Sequence, residues 1–133
     1  MQSEPFMVSA AEPSSIQIAL TPRFKKDLRE LAKRYRSIRS DLQPLIEQLQ
    51  ACELPGDRIA GVKYQVLKVR LKNSDIQKGK SGGYRVIYYL KTEQGIILTT
   101  IYAKSDISDV SNDVIEEAIA KYEQELKIED NSY

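Results

Sequence analysis

The stretch from residue 64 to residue 90 constrains this chain more than any other. It begins Tyr64-Gln65-Val66-Leu67-Lys68-Val69-Arg70-Leu71-Lys72. Alternation over that length specifies a strand with two unlike faces, Leu67, Val69 and Leu71 on one and Lys68, Arg70 and Lys72 on the other. After a loop containing Gly79, Gly82 and Gly83 comes Tyr84-Arg85-Val86-Ile87-Tyr88-Tyr89-Leu90. These β-branched and aromatic residues suit a central strand. Arg85 is the one charge in that run, and an arginine there needs a wet face or a partner. If the two strands are neighbours, Arg85 shares a face with Lys68 and Arg70. That face is either a cationic floor edged by tyrosines or the ordinary solvated side of an antiparallel sheet, and spacing alone leaves both readings open.

The flanking segments supply the rest of a small α+β domain. Ile16 to Leu20 alternates and reads as a short strand. Thr21-Pro22 then opens a helix, with Thr21 as N-cap and Pro22 at the first helical position. Phe24, Leu28, Leu31, Ala32 and Tyr35 form its apolar stripe, and Arg23, Lys26, Arg29, Lys33 and Arg36 its basic face. Ser40-Asp41-Leu42-Gln43 reads as a capping box starting a second helix, with Pro44 in or just beyond the first turn and Leu54-Pro55-Gly56 ending it. The short link between them predicts an antiparallel helical hairpin packed on one sheet face. Asp57 to Lys63 reads as a loop, Glu93-Gln94-Gly95 as a hairpin turn, and Ile96 to Ala103 as a central strand. Ser111 caps a C-terminal helix with Val114, Ile115, Ala118, Ile119, Tyr122 and Leu126 on its apolar face. The predicted order is β-α-α-β-β-β-α. Residues 1–15 read as a flexible leader, 16–127 as the folded domain and 128–133 as a frayed tail.

Composition narrows the chemistry. The chain has 133 residues, no histidine and one cysteine, Cys52. A Ser-His-Asp triad is therefore impossible, and zinc sites of the Cys/His type are excluded. Cys52, a lone thiol near a helix end, reads as a packing residue. Gly79-Lys80-Ser81 looks like the end of a phosphate-binding loop, but Ser74 stands where that motif needs glycine, and a strand follows instead of a helix. The pairs Asp106/Asp109 and Glu116/Glu117 read as helix-start residues that suit the helix dipole. No apolar run is long enough to span a bilayer, and no signal peptide is evident, so the protein reads as cytoplasmic and free of membrane.

Net charge is +1, which hides a strong asymmetry. Residues 23–39 hold eight basic and two acidic side chains, residues 63–91 eight basic and one acidic, and residues 106–133 two basic and nine acidic. Two basic blocks and an acidic end suggest a surface for a polyanion, with an acidic element that could screen it. Lysine, arginine and tyrosine on one sheet face suit RNA phosphate chemistry. Arginines stabilise charge on a scissile phosphate, a lysine transfers protons if its neighbours depress its pKa, and tyrosines stack on bases. The RNA's own 2′-hydroxyl would attack, so neither metal nor small-molecule cofactor is expected.

Four stretches resemble the RelE/ParE superfamily of type II toxins, especially its HigB/RelE-like branch. They are Thr21-Pro22-x-Phe24, Val66-Leu67-Lys68-Val69-Arg70, Gly79-Lys80-Ser81-Gly82-Gly83-Tyr84-Arg85-Val86-Ile87-Tyr88-Tyr89 and Ile101-Tyr102-Ala103-Lys104-Ser105-Asp106. The resemblance covers about residues 16–120. It implies a mixed sheet carrying a helical hairpin on one face, a cognate antitoxin, and ribosome-dependent mRNA cleavage. Its basic positions fall on Lys68, Arg70, Arg85 and Lys104 as catalytic residues. Arg23, Lys26, Arg29, Lys33, Lys72, Lys78, Lys80, Tyr89 and Tyr102 are the expected RNA and ribosome contacts. Ser105 stands where RelE has a further arginine, and the register of its catalytic tyrosine lands near Ser111, so Tyr102 or Tyr89 is the substitute. Two other activities remain open: ParE-like inhibition of DNA gyrase, and binding of RNA or antitoxin without catalysis. The C-terminal helix is expected over the sheet edge or beside the helical hairpin.

Overall fold

The computed structural model describes residues 16–76 and 82–130. Strand β1 (Gln17–Leu20) leads into helices α1 (Pro22–Ala32) and α2 (Ile38–Gln50). Strands β2 (Asp57–Arg58), β3 (Val66–Leu71), β4 (Tyr84–Thr92) and β5 (Gly95–Ala103) follow, then helix α3 (Asn112–Asp130). The five strands form one sheet in the order β1-β5-β4-β3-β2. β1 runs parallel to β5 and the other pairs are antiparallel, so the sheet is mixed and the fold is α+β, as the sequence indicates. The two-residue β2 lies in the segment expected to be a loop, paired with Leu67 and Lys68 at the outer edge of β3. The expected leader, residues 1–15, lies outside the described residues. The boundary expected at residue 127 falls inside α3, which continues to Asp130. No helix among the described residues is long and apolar enough to cross a membrane.

Alternation along the strands separates two cores. Tyr84, Val86, Tyr88, Leu98 and Ile101 face the helical hairpin and pack with Phe24, Leu31, Ile38, Leu45 and Leu49, and Leu67, Val69 and Leu71 join them. On the other face, Val66, Ile87 and Tyr102 pack under Ile115 and Ile119 of α3. The C-terminal helix therefore packs on the face opposite the main core and also touches α1, so it lies beside the first helix of the hairpin, as expected, while covering a sheet face that was not expected. That face presents Val66, Ile87 and Tyr102, and burying such apolar surface is the dominant favourable term in folding.

The first helix begins as its sequence demands. Thr21 Oγ1 accepts the Phe24 N–H at 2.9 Å and donates to the Thr99 carbonyl at 2.7 Å, so the cap also fastens α1 to β5. The second helix begins two residues before the expected capping box. The Asp75 carboxylate accepts the Ser37 N–H at 2.8 Å, while Asp41 accepts the N–H and hydroxyl of Ser74. Ile38 is fully buried, so core packing and a distant carboxylate start this helix. Consequently Pro44 lies inside the helix rather than in its first turn. There it removes the N–H that would bond to the carbonyl of residue 40.

Cys52 ends α2, and it is exposed, which corrects its reading as a packing residue. It adopts φ 67°, with its own N–H on the Leu49 carbonyl at 3.1 Å and the Glu53 N–H on the Gln48 carbonyl at 2.9 Å. This is the Schellman arrangement, and its left-handed position favours glycine. Cys52→Gly is expected to stabilise the protein by about 1 kcal/mol, a rise of about 3 °C in melting temperature, because the Cβ strain of the left-handed conformation disappears. Cys52→Ala keeps that strain. Equal melting temperatures for the two variants would refute the conformational cause.

Candidate functional site

The register of the three long strands assembles the cationic face. Arg70 pairs directly with Arg85, and Arg85 with Tyr102, which makes one row across β3, β4 and β5. The neighbouring row holds Lys68, paired with Ile87, and Thr100 beyond it. Directly opposite residues share a face, so Lys68, Arg70, Arg85 and Tyr102 all lie on the side that α3 partly covers. The three cations expected to act together are thus brought together.

Arg85 is half-buried, and its guanidinium donates to the Tyr84 carbonyl at 3.2 Å and the Gly82 carbonyl at 3.5 Å. Arg70 is exposed. Among the described residues no carboxylate forms an ion pair with Arg70 or Arg85. Like charges directly opposite each other destabilise a strand pair, so this juxtaposition works against folding and favours an anion laid across it.

Lys68 is in a different state. Its Nζ lies 3.1 Å from Asp109 Oδ1, and the same oxygen accepts the Tyr102 hydroxyl at 3.0 Å and the Val110 N–H at 2.9 Å. Burial works to raise the Asp109 pKa, but the bonds from Lys68, Tyr102 and Val110 outweigh it and hold the carboxyl below its ordinary range. Tyr102 is only 6% exposed. Burial, then the neighbouring Asp109 carboxylate, pushes its pKa up to about 12, so it is a poor base and a donor at neutral pH.

Asp106 and Asp109 do not start the C-terminal helix. Ser111 does so, its hydroxyl accepting the Val114 N–H at 3.2 Å. The two aspartates instead bond to cations on other elements, Asp109 to Lys68 and Asp106 to Arg34. That corrects their expected role. Asp109 is the site residue that sequence reasoning missed, because Lys68 is 41 positions away. The only trace in the sequence is an acidic segment downstream of a basic strand.

The remaining candidates divide. Lys104 follows β5 and turns its amine onto the Ser108 carbonyl at 2.7 Å, holding its own loop. Tyr89 is half-buried, edge-on to Tyr64 with ring centroids 5.1 Å apart, so neither ring is a free stacking platform. Lys72 is exposed just past the end of β3. Lys78 and Lys80 lie outside the described residues. Arg23, Lys26 and Arg29 are exposed on α1 and Lys33 at its C-cap, and Arg23 lines a cleft with Tyr102 and Val110. Apart from Arg23, they lie outside that cleft. Arg23 is partly neutralised by Asp27 at 3.3 Å.

In a comparison with protein families, residues 18–107 match the family described as the ParE toxin of type II toxin-antitoxin system, parDE. No curated protein matches the chain.

Proposed function

Because the chain belongs to the ParE toxin family of type II toxin–antitoxin systems, with a cognate antitoxin as its partner, we propose that it arrests growth by cleaving mRNA on the translating ribosome. The observation that carries this reading is the cross-strand pair Arg70 and Arg85, two cations face to face with no ion-paired carboxylate among the described residues. A scissile phosphate between them gains charge stabilisation in the transition state. The RNA 2′-hydroxyl attacks the adjacent phosphorus as the bond to the 5′-oxygen breaks. The products are a 2′,3′-cyclic phosphate and a 5′-hydroxyl, and the proton lost by the first oxygen balances the one gained by the second. Lys68 and Tyr102 are the proton-bearing groups beside the arginines. Induced expression with primer extension on cellular mRNA tests this, the expected result being cuts within translated codons.

A second reading, inhibition of DNA gyrase without cleavage, draws on one observation. Asp109 engages both Lys68 and Tyr102, the two proton-bearing groups of the site among the described residues. Growth arrest with intact mRNA and impaired supercoiling would select it.

The basic face of α1 is the proposed contact with ribosomal RNA backbone. Phosphate contacts release counterions, so with about three net cations the affinity for ribosomes should fall roughly fiftyfold between about 50 and about 200 mM salt. Charge reversal at Lys26 and Arg29 should flatten that dependence and weaken binding at low salt. A salt-independent affinity in sedimentation assays would leave this face merely solvated.

A further inference from the structure

Three donors converge on a single oxygen, Asp109 Oδ1: Lys68 Nζ, the Tyr102 hydroxyl and the Val110 N–H. Lys68 stands on β3 and Tyr102 on β5, so the oxygen they share lies over β4, the strand that carries Arg85. In the row that ends on Tyr102, Arg85 is the neighbouring residue and Arg70 the next. Tyr102 is buried and its hydroxyl bond part-buried, so leaving that hydroxyl without an acceptor would cost free energy. Whatever displaces the carboxylate must therefore bring an acceptor of its own.

We propose that Asp109 is a built-in plug, its carboxylate occupying the position that a non-bridging oxygen of an RNA phosphodiester takes between Lys68 and Tyr102. This rests on the mRNA reading and adds its regulation: the segment from Lys104 to Val110 must move aside before RNA can seat. The ties that hold that segment are weak enough to release. The Asp109 side chain is 58% exposed, and the other pair, Arg34 with Asp106, lies at the surface as well. Exposed ion pairs of this kind contribute about 0–1 kcal/mol each. The low pKa of Asp109 argues against the rival role of general base, since a carboxylate held ionised by three donors is a weak proton acceptor.

The test is fluorescence anisotropy of the full chain, freed of antitoxin, with a labelled 2′-O-methyl oligoribonucleotide that keeps the phosphodiesters and cannot be cut. Asp109→Asn should bind about tenfold tighter than the wild type, since one anion is removed and Lys68 is released. Asp109→Ser is a second variant should the amide fold poorly. Asp106→Asn changes net charge equally in the same segment but touches Arg34, and it should change affinity less than about twofold. Adding Tyr102→Phe to Asp109→Asn should remove most of the gain. Equal gains for Asp109→Asn and Asp106→Asn would reduce the effect to net charge and overturn the plug. Loss of binding in Arg85→Ala with no gain in either Asp109 variant would overturn the plug and leave the mRNA reading standing. Binding that Arg70→Ala and Arg85→Ala leave unchanged, or no binding by any variant, would overturn both.

Discussion

Arg70→Thr is expected to abolish growth arrest while making the protein slightly more stable. The two effects have one cause. Arg70 faces Arg85 directly across β3 and β4, and opposed like charges cost about 0.2–1 kcal/mol, which threonine, a good strand former, removes. The same substitution withdraws one of the two groups proposed to stabilise the transition state. Losing one such donor costs about a hundredfold or more in rate. Arg85→Ala should lose activity to a similar degree without the gain in stability, because its guanidinium also satisfies the Tyr84 and Gly82 carbonyls. Cleavage of ribosome-bound mRNA and thermal melting, measured on both variants, check this. Undiminished arrest would remove the arginine pair from the mechanism. A lower melting temperature for Arg70→Thr would show that the pair stabilises the fold and is not held under repulsion.

Gly83→Ala is expected to cost about 3 kcal/mol of stability, a large loss for the addition of one methyl group. Gly83 has φ +80° immediately before β4, and a Cβ built on it runs into the Leu71 carbonyl oxygen. Its own carbonyl accepts the Lys104 N–H at 2.9 Å, so moving it also loosens the end of β5. Both strain and overlap must be relieved by parting β3 from β4 at the end that carries Arg70 and Arg85. Activity should therefore fall together with stability, the reverse of the pattern for Arg70→Thr. Denaturant unfolding measures the loss, and a change below about 1 kcal/mol would mean that β3 yields at this point with little resistance.

Local chemistry was enough wherever a residue's partner lies within a turn or a strand length. Alternation from Tyr64 to Lys72 placed Leu67, Val69 and Leu71 toward the hairpin and Lys68 and Arg70 away from it, since side chains on a strand alternate by covalent geometry. Thr21 and Pro22 started α1, and Ser111 started α3, because a cap needs only the backbone three residues on. Tertiary structure decided the rest. Asp75 begins α2 from 38 residues away, overriding the local signal at Ser40. The apolar stripe of α3 does not say which sheet face it covers; the hairpin packs on one face, and α3 packs on the other while touching α1. The strand register sets Arg70 against Arg85, and the path of the Lys104–Val110 segment brings Asp109 onto Lys68 and Tyr102. An ion pair has no sequence period. It depends on where two distant segments are carried by the packing of everything between them, so the sequence named the cations of this face and the fold alone chose the carboxylate that lies among them.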